Sequence, residues 1–561
     1  MCRRNALGVL VVLGVACWPA GALAQTAEQI TFADMGADVP GAATVTPYGG
    51  WLPPQGLSDV AIPQMPGFPT QMGCATTLKP QRGLVFADLN GDRKLEVIAA
   101  SIDKKVYAWD FQGQPMPGFP VTVNNYVQYP PTVDDIDGDG DMEIVVLTRG
   151  ASTGGRLYVI DHLGQVVPPF PISVNNGNLF VCPTVVDLDG NGQKEIIFGE
   201  RAYPIGRVHV FRPDGTEWTT GWPVAMDHVP AATAAVGDVN HDGRPEVVFL
   251  SYNSIYVLDL DGNSLPGWPQ QIPNANFSYQ SAALADLDHD GDLEIVVGTH
   301  GNAPGCYVFH HDGTAVTGWP RPFEAWSYCP PVVTDLENDG NFEVIDGWMG
   351  GGAGVPGPAF YVWAADGTPR PGFPYITQIG GGSEGVIVAA DINGDGIKEI
   401  FADSNIKDGT EGFLYGVDAA GNDLPGFPLR PVGHTYMSGA TIADIDGDGD
   451  YEMGVLSYED TVVWVNVYDL PYTYRPTGGE WKAYHARNTR GGLFRPYRAG
   501  DLNCDHAVDF GDINPFVLAL TNPAAYATAF PLCDVMNADI NGNGWVDFGD
   551  INPFVRLLTQ P

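Results

Sequence analysis

The sequence predicts a mainly β chain, an eight-bladed propeller followed by a small α-helical domain, and three observations carry that prediction. An acidic motif, in its fullest form Asp135-Ile136-Asp137-Gly138-Asp139-Gly140-Asp141-Met142-Glu143, recurs eight times between Asp88 and Glu452 at intervals of 47 to 56 residues. A Gly-aromatic-Pro element repeats in phase with it. Near the C-terminus, the segment Val508 to Val517 returns unchanged as Val546 to Val555.

The chain opens with Arg3 and Arg4, an apolar run from Leu7 to Trp18, and Ala22-Leu23-Ala24 ahead of Gln25. That order of charge, apolar core and small residues is a secretory signal peptide, so residues 1–24 are expected to be removed after Ala24 and the protein to be secreted. Residues 25–61, rich in Gly, Pro, Ala and Thr, read as an N-terminal extension. No later apolar stretch approaches the ~20 residues of a membrane span.

Residues 62–498 hold the repeats. The first loop offers Asp88, Asn90, Asp92 and Glu96 at positions one, three, five and nine; the second offers Asp135, Asp137, Asp139 and Glu143. The third and fourth offer Asp187, Asp189, Asn191, Glu195 and Asp238, Asn240, Asp242, Glu246. The fifth and sixth offer Asp286, Asp288, Asp290, Glu294 and Asp335, Glu337, Asp339, Glu343. The last two offer Asp391, Asn393, Asp395, Glu399 and Asp444, Asp446, Asp448, Glu452. Carboxylate and amide oxygens spaced this closely around a tight turn suit a hard, oxygen-seeking cation such as Ca²⁺. One copy alone could be a solvated turn; eight copies in phase point to ions. The sixth loop departs most, with Glu337 at position three and Asn338 at position four.

Each loop lies between strand-like runs, as Glu143-Ile144-Val145-Val146-Leu147 follows the second. A third run such as Ser254-Ile255-Tyr256-Val257-Leu258 leads through a turn like Asp261-Gly262 to the aromatic element, for example Gly267-Trp268-Pro269. Four short strands per roughly 50 residues is a propeller blade, and the aromatic is expected to pack between blades. The first such element, Pro66-Gly67-Phe68-Pro69, precedes the first loop, and none follows Val462 to Val467. The N-terminal strand is therefore expected to complete the last blade, giving eight; seven is the alternative if one unit is irregular. The stretch from Trp481 to Gly492 reads as a closing tail with structural His and Arg residues.

These residues resemble the FG-GAP/VCBS repeats of integrin α-subunit propellers and of many secreted bacterial proteins. The resemblance spans about Ile62 to Arg498 and implies a Ca²⁺-binding propeller used for adhesion or ligand binding.

Six cysteines remain beyond the leader: Cys74, Cys182, Cys306, Cys329, Cys504 and Cys533. In an oxidising compartment, Cys504 with Cys533 is the expected pair, since both lie in one small unit. The other four leave three pairings or buried thiols open.

Residues 499–561 form a second domain. Ahead of each copy of the duplicated segment stand EF-hand-type ligands at positions one, three, five, nine and twelve: Asp501, Asn503, Asp505, Asp509, Asp512, and Asp539, Asn541, Asn543, Asp547, Asp550. Ala507 and Trp545 offer the position-seven carbonyl. This unit is similar to a type I dockerin, a two-loop Ca²⁺ module, and the resemblance implies a cohesin-like protein partner. The hydroxyl pair usual at positions ten and eleven of that family is replaced by Phe510-Gly511 and Phe548-Gly549.

The formal charge of −40 has an assignable place, because more than half of the 67 acidic residues sit in these ten loops. About ten Ca²⁺ ions would offset half of it. Without a basic stripe to meet phosphates, nucleic acid is excluded as a partner. Gly381-Gly382-Ser383-Glu384-Gly385 matches a nucleophile elbow formally, but Val386-Ile387-Val388-Ala389 after it reads as a strand where that motif needs a helix. No catalytic residue emerges. Tyr129, Phe180, Tyr279, Tyr328 and Tyr436 stand at similar offsets ahead of the first strands and are expected around one mouth of the channel, either packed or stacking on sugars. The sequence thus reads as an extracellular binding, adhesion or scaffold protein for a polysaccharide or protein ligand. The alternative is a polysaccharide-degrading enzyme, lyase or glycoside hydrolase, or a component of such a complex.

Overall fold

In the computed structural model, the described residues run from 62 to 559, apart from 75–78, 151–153, 175–178, 180, 202–204, 219, 232, 351–354, 407–411, 474–479, 495–498, 505–507, 531–532, 534 and 542–545. Residues 1–61, where the leader and the N-terminal extension are expected, lie outside them.

Eight antiparallel sheets of three or four strands, blades I to VIII in order of their acidic loops, build the β portion, with one small two-stranded pair, Ala275–Asn276 and His300–Gly301, beside them. Blade II shows the plan: Thr132–Asp134, the acidic loop, Glu143–Leu147, Arg156–Ile160 and Ile172–Ser173. The second strand is fully buried along its length, as the apolar run Ile144 to Leu147 requires when both faces meet neighbouring blades. Blades IV and VII have three regular strands; their outer segments reach the sheet only through single bridges, Ile255 with Gln270 and Leu414 with Leu429.

The ring closes as the order of elements predicts. Thr70–Gly73 pairs with Val462–Thr473 in blade VIII, Thr70 opposite Val465, so the outer strand of the last blade comes from the other end of the repeat region. The aromatics seal the seams. The indole Nε1 of Trp222 donates to Leu260 O (3.0 Å), that of Trp268 to His311 O (2.7 Å) and that of Trp319 to Ala365 O (2.8 Å), each in the following blade. The preceding glycine is needed for close approach: a Cβ on Gly221 would sit 1.6 Å from Asp261 O.

Inside the ring runs the tail. Carbonyls of Trp481, Lys482, Asn488, Thr489, Gly491 and Gly492 accept from Ala389, Ile442, Val133, Val185, Val236 and Leu284 on the innermost strands of blades VII, VIII, II, III, IV and V. Asn488 Nδ2 donates to Phe86 O of blade I (2.6 Å), and Phe494 packs edge-on against Phe342 of blade VI. His485 and Arg490 are buried in this strand of contacts, bonded to backbone carbonyls, which makes them structural.

The C-terminal portion carries helices at Ile513–Thr521, Pro523–Ala529 and Ile551–Thr559. Phe516 and Phe554, equivalent positions of the duplication, stack at 4.2 Å in a small core. Cys504 and Cys533 form the expected disulfide. No disulfide joins Cys74, Cys182, Cys306 and Cys329, all buried.

Candidate metal centres

Each acidic loop connects the first strand of its blade to the second, so all eight lie on one side of the ring. Its conformation follows from two residues with positive φ, at positions four and six, from Asn338 at 53° to Gly291 at 99°. Glycine holds most of these positions because it alone adopts that region freely. The position-one aspartate organises the turn: in every loop its Oδ2 accepts the position-six N–H, as Asp135 does from Gly140 at 3.0 Å and Asp391 from Gly396 at 2.9 Å.

The position-nine glutamates lie at the start of the second strands, as their first residue in every blade but VIII, and point back. In all eight blades Oε2 accepts the N–H of the buried apolar residue at position two, from Glu452 with Ile445 (2.6 Å) to Glu343 with Leu336 (3.0 Å). None of these glutamates is more than 5 % exposed. Burial, reinforced by neighbouring carboxylates, pushes Glu143, Glu195 and Glu246 up to about 7, Glu399 to about 8 and Glu452 to about 9. An arrangement that raises carboxylate pKa values this far is one that a cation relieves.

The second oxygen, Oε1, tests the fit. In loops three and eight, Oε1 of Glu195 and Glu452 is buried without a partner, as is Asp286 Oδ1 in loop five. Asp135, Asp137 and Glu143 bring one oxygen each within 4.8 Å of one another, as do Asp187, Asp189 and Glu195, and Asp444, Asp446 and Glu452. In loops one and seven the amides of Asn90 and Asn393 donate to that oxygen at 2.9 and 2.8 Å. All-oxygen donor sets with buried, unpartnered atoms suit a hard divalent ion, and Ca²⁺ would supply the charge that holds them together. Asp238, Asn240, Asp242 and Glu246 repeat the geometry in loop four.

Two residues that sequence reasoning missed enter these loops from beyond the third strand. His310 Nδ1 lies 3.1 Å from Glu294 Oε1 and 3.9 Å from Asp288 Oδ2, adding an imidazole to loop five. Arg370 reaches loop six, where it pairs with Glu337 and lies 3.1 Å from Glu343 Oε1. The only signal was an arginine where the other repeats have an apolar residue.

In the C-terminal portion, Asp501, Asp512, Asp539 and Asp550 are buried. Asp512 folds back onto the start of its loop, accepting from Leu502 N (2.7 Å) and Asn503 N (3.1 Å), and Asp550 accepts from Asn541 N (2.9 Å). Asp509 and Asp547 cap the turns that open the following helices. Arg93 of the first propeller loop lies 3.3 Å from Asp547 Oδ2. Asp505, Ala507, Asn543 and Trp545 lie outside the described residues.

The mouth opposite the ion loops gathers the predicted aromatics, Phe180 excepted as it is not described. Tyr129, Tyr279 and Tyr328 are at most 8 % exposed and share one cluster with Tyr436 and with Tyr484 of the tail. Tyr279 and Tyr328 meet edge to face at 5.7 Å. The rings pack on each other, so sugar stacking on their faces is set aside. Arg82 crosses this mouth, donating to the carbonyls of Glu384 (2.6 Å), Tyr279 (2.9 Å) and Tyr328 (2.6 Å). Ser383 is buried and donates to Asp403 Oδ1 at 2.7 Å, and the strand Ile387–Ala390 follows it where a nucleophile elbow would have a helix.

Comparison with known proteins agrees with this architecture. A family model described as an FG-GAP-like repeat matches residues 88–146, 135–198 and 238–297. Among solved structures, the V. cholerae biofilm matrix protein Bap1 is similar at 14% identity and a TM-score of 0.51, over 76% of this chain and 94% of that one. BBS1N in complex with ARL6DN (12% identity, TM-score 0.40, 74% and 99% covered) and a europium-containing methanol dehydrogenase (15%, 0.37, 58% and 73%) are more remote. No curated protein matches. Among the described residues no helix is long and apolar enough to cross a membrane. The chain therefore carries FG-GAP-like repeats, folded as an eight-bladed β-propeller with acidic loops able to hold metal ions.

Proposed function

We propose that the protein is a secreted, Ca²⁺-stabilised propeller that works outside the cell as a binding or scaffold protein, attached through its dockerin-like C-terminal module. The observation that carries the attachment is the duplicated apolar surface. Phe510 and Phe548 are 75 and 77 % exposed, and Ile513 with Ile551 and Val517 with Val555 repeat the same exposure on the two helices. Large apolar side chains left in water twice, by identical sequences, fit a protein partner with an apolar receiving surface, such as a cohesin-like domain. An extracellular setting also suits the fold's likeness to a biofilm matrix protein.

The test uses the full chain with the matrix or cell-surface fraction of the producing cells. Ca²⁺-dependent retention is expected, and Phe510→Ala with Phe548→Ala should abolish it while leaving the propeller's melting transition in place. Release of reducing ends or unsaturated uronides from a polysaccharide panel would instead establish the degrading-enzyme reading.

A further inference from the structure

Loop six differs from its seven counterparts in what already fills it. The residue just after the turn that follows the third strand occupies one register position in every complete repeat, eight residues beyond its partner on that strand. Its backbone N–H bonds the third strand at 2.8 to 3.0 Å: Met116 to Ala108, Val167 to Val159, Trp218 to Val210, Leu265 to Val257, Val316 to Val308, Arg370 to Val362 and Leu424 to Gly416. Six of these seven side chains are apolar. In blade VI the position is Arg370, and its guanidinium reaches both Glu337 and Glu343, with Nη1 3.1 Å from Glu343 Oε1. Glu343 Oε1 is the oxygen that in loops three and eight has no partner.

A second change accompanies the first. Position three is Asp or Asn in the other loops and Glu only here, a side chain one methylene longer that meets the arginine. A second cation closes the loop from blade VII: Lys398 Nζ, buried, donates at 2.6 Å to both Asp335 O and Asn338 Oδ1. A guanidinium bridging two carboxylates is planar, permanently charged and well matched to them. A divalent ion placed beside it would be repelled across a few ångströms in a partly buried site.

We propose that loop six takes no ion, and that Arg370, with Lys398, supplies in covalent form the positive charge that Ca²⁺ supplies elsewhere. Asp335, Glu337, Asp339 and Glu343 then serve as ion-pair and turn residues, and one blade stays closed whatever the Ca²⁺ level. The inference rests on the Ca²⁺ reading of the other loops.

Hydrogen exchange with peptide-level mass spectrometry, on the full chain in Ca²⁺ and in chelator, reads each loop separately. At Ca²⁺ ten times the dissociation constant, an ion-holding loop opens about tenfold less often. Peptides over the other seven loops should slow by about that factor, while 335–343 exchanges equally in both solutions. In Arg370→Met, which installs the residue found at Met116, 335–343 should acquire the same Ca²⁺-dependent slowing. Ca²⁺ protection of 335–343 in the wild type overturns the proposal; it would mean that Glu337 Oε2, buried and unpartnered, recruits an ion despite Arg370. If Arg370→Met fails to fold, the wild-type comparison still decides. A flat response in all eight loops would defeat the Ca²⁺ reading itself, and this inference with it, a pattern distinct from loop six responding like the rest.

Discussion

Gly221 shows how little latitude a blade seam leaves. With φ at 73° and Asp261 O against its Cα, it can accept a methyl group only if two blades part. Gly221→Ala should cost roughly 1–3 kcal/mol in urea unfolding, the range of strained substitutions. His300 offers a pH handle away from the ion loops. Burial among Tyr252, Trp326 and Tyr328 lowers it to about 4, whereas an unfolded histidine titrates near ~6.5. Between those values the unfolded chain binds the proton first, so the neutral ring's contribution, intact above pH 6.5, falls as pH drops toward 4, by up to roughly 3 kcal/mol. Against His300→Phe, the wild type should lose ground in urea midpoint from pH 7 to pH 5; parallel midpoints would refute it. The loop ligands were legible because their spacing is local, nine residues from first to last. Arg370 and His310 were not, because they arrive from beyond the third strand and nothing in the loop's own sequence announces them.

The elements were legible in type and order because alternating and continuous apolar runs fall between turn signals with a fixed period. Even the borrowed strand could be inferred, from one Gly-Phe-Pro element too many at the start and one too few at the end. What sequence could not show was where the tail goes: Trp481 to Phe494 has no periodicity, and its partners are backbone groups on inner strands, which leave no trace in side-chain identity. The borrowed strand carries its own prediction. A chain beginning at residue 80 lacks Thr70–Gly73 and leaves the edge of Val462–Thr473 unpaired. Such an edge is a template for other chains, so concentration-dependent association by light scattering and a lowered melting temperature are expected. A monomer with an unchanged transition would mean that the strand is dispensable.

For the whole molecule, charge is the organising quantity. A chain at −40 folds with the carboxylates of its eight acidic loops gathered on one side of a ring, where the position-nine glutamates are buried. Each ion held at ten times its dissociation constant adds roughly 1.4 kcal/mol to the folded state, and several together rival the ~5–15 kcal/mol of a typical domain. Chelation should therefore lower the calorimetric transition strongly and open the propeller to protease, and Asp286→Ala with Asp288→Ala should expose blade V first. An identical thermogram with and without chelator would show that the loops are solvated turns.

The tail makes this propeller a wheel with a solid hub. A ring whose axle is the chain's own backbone, touching all eight blades, has its inner strands bonded to one shared segment. The hub also couples the spokes, because its anchoring positions run from Phe86 to Ile442 and one segment, residues 481–494, holds them all.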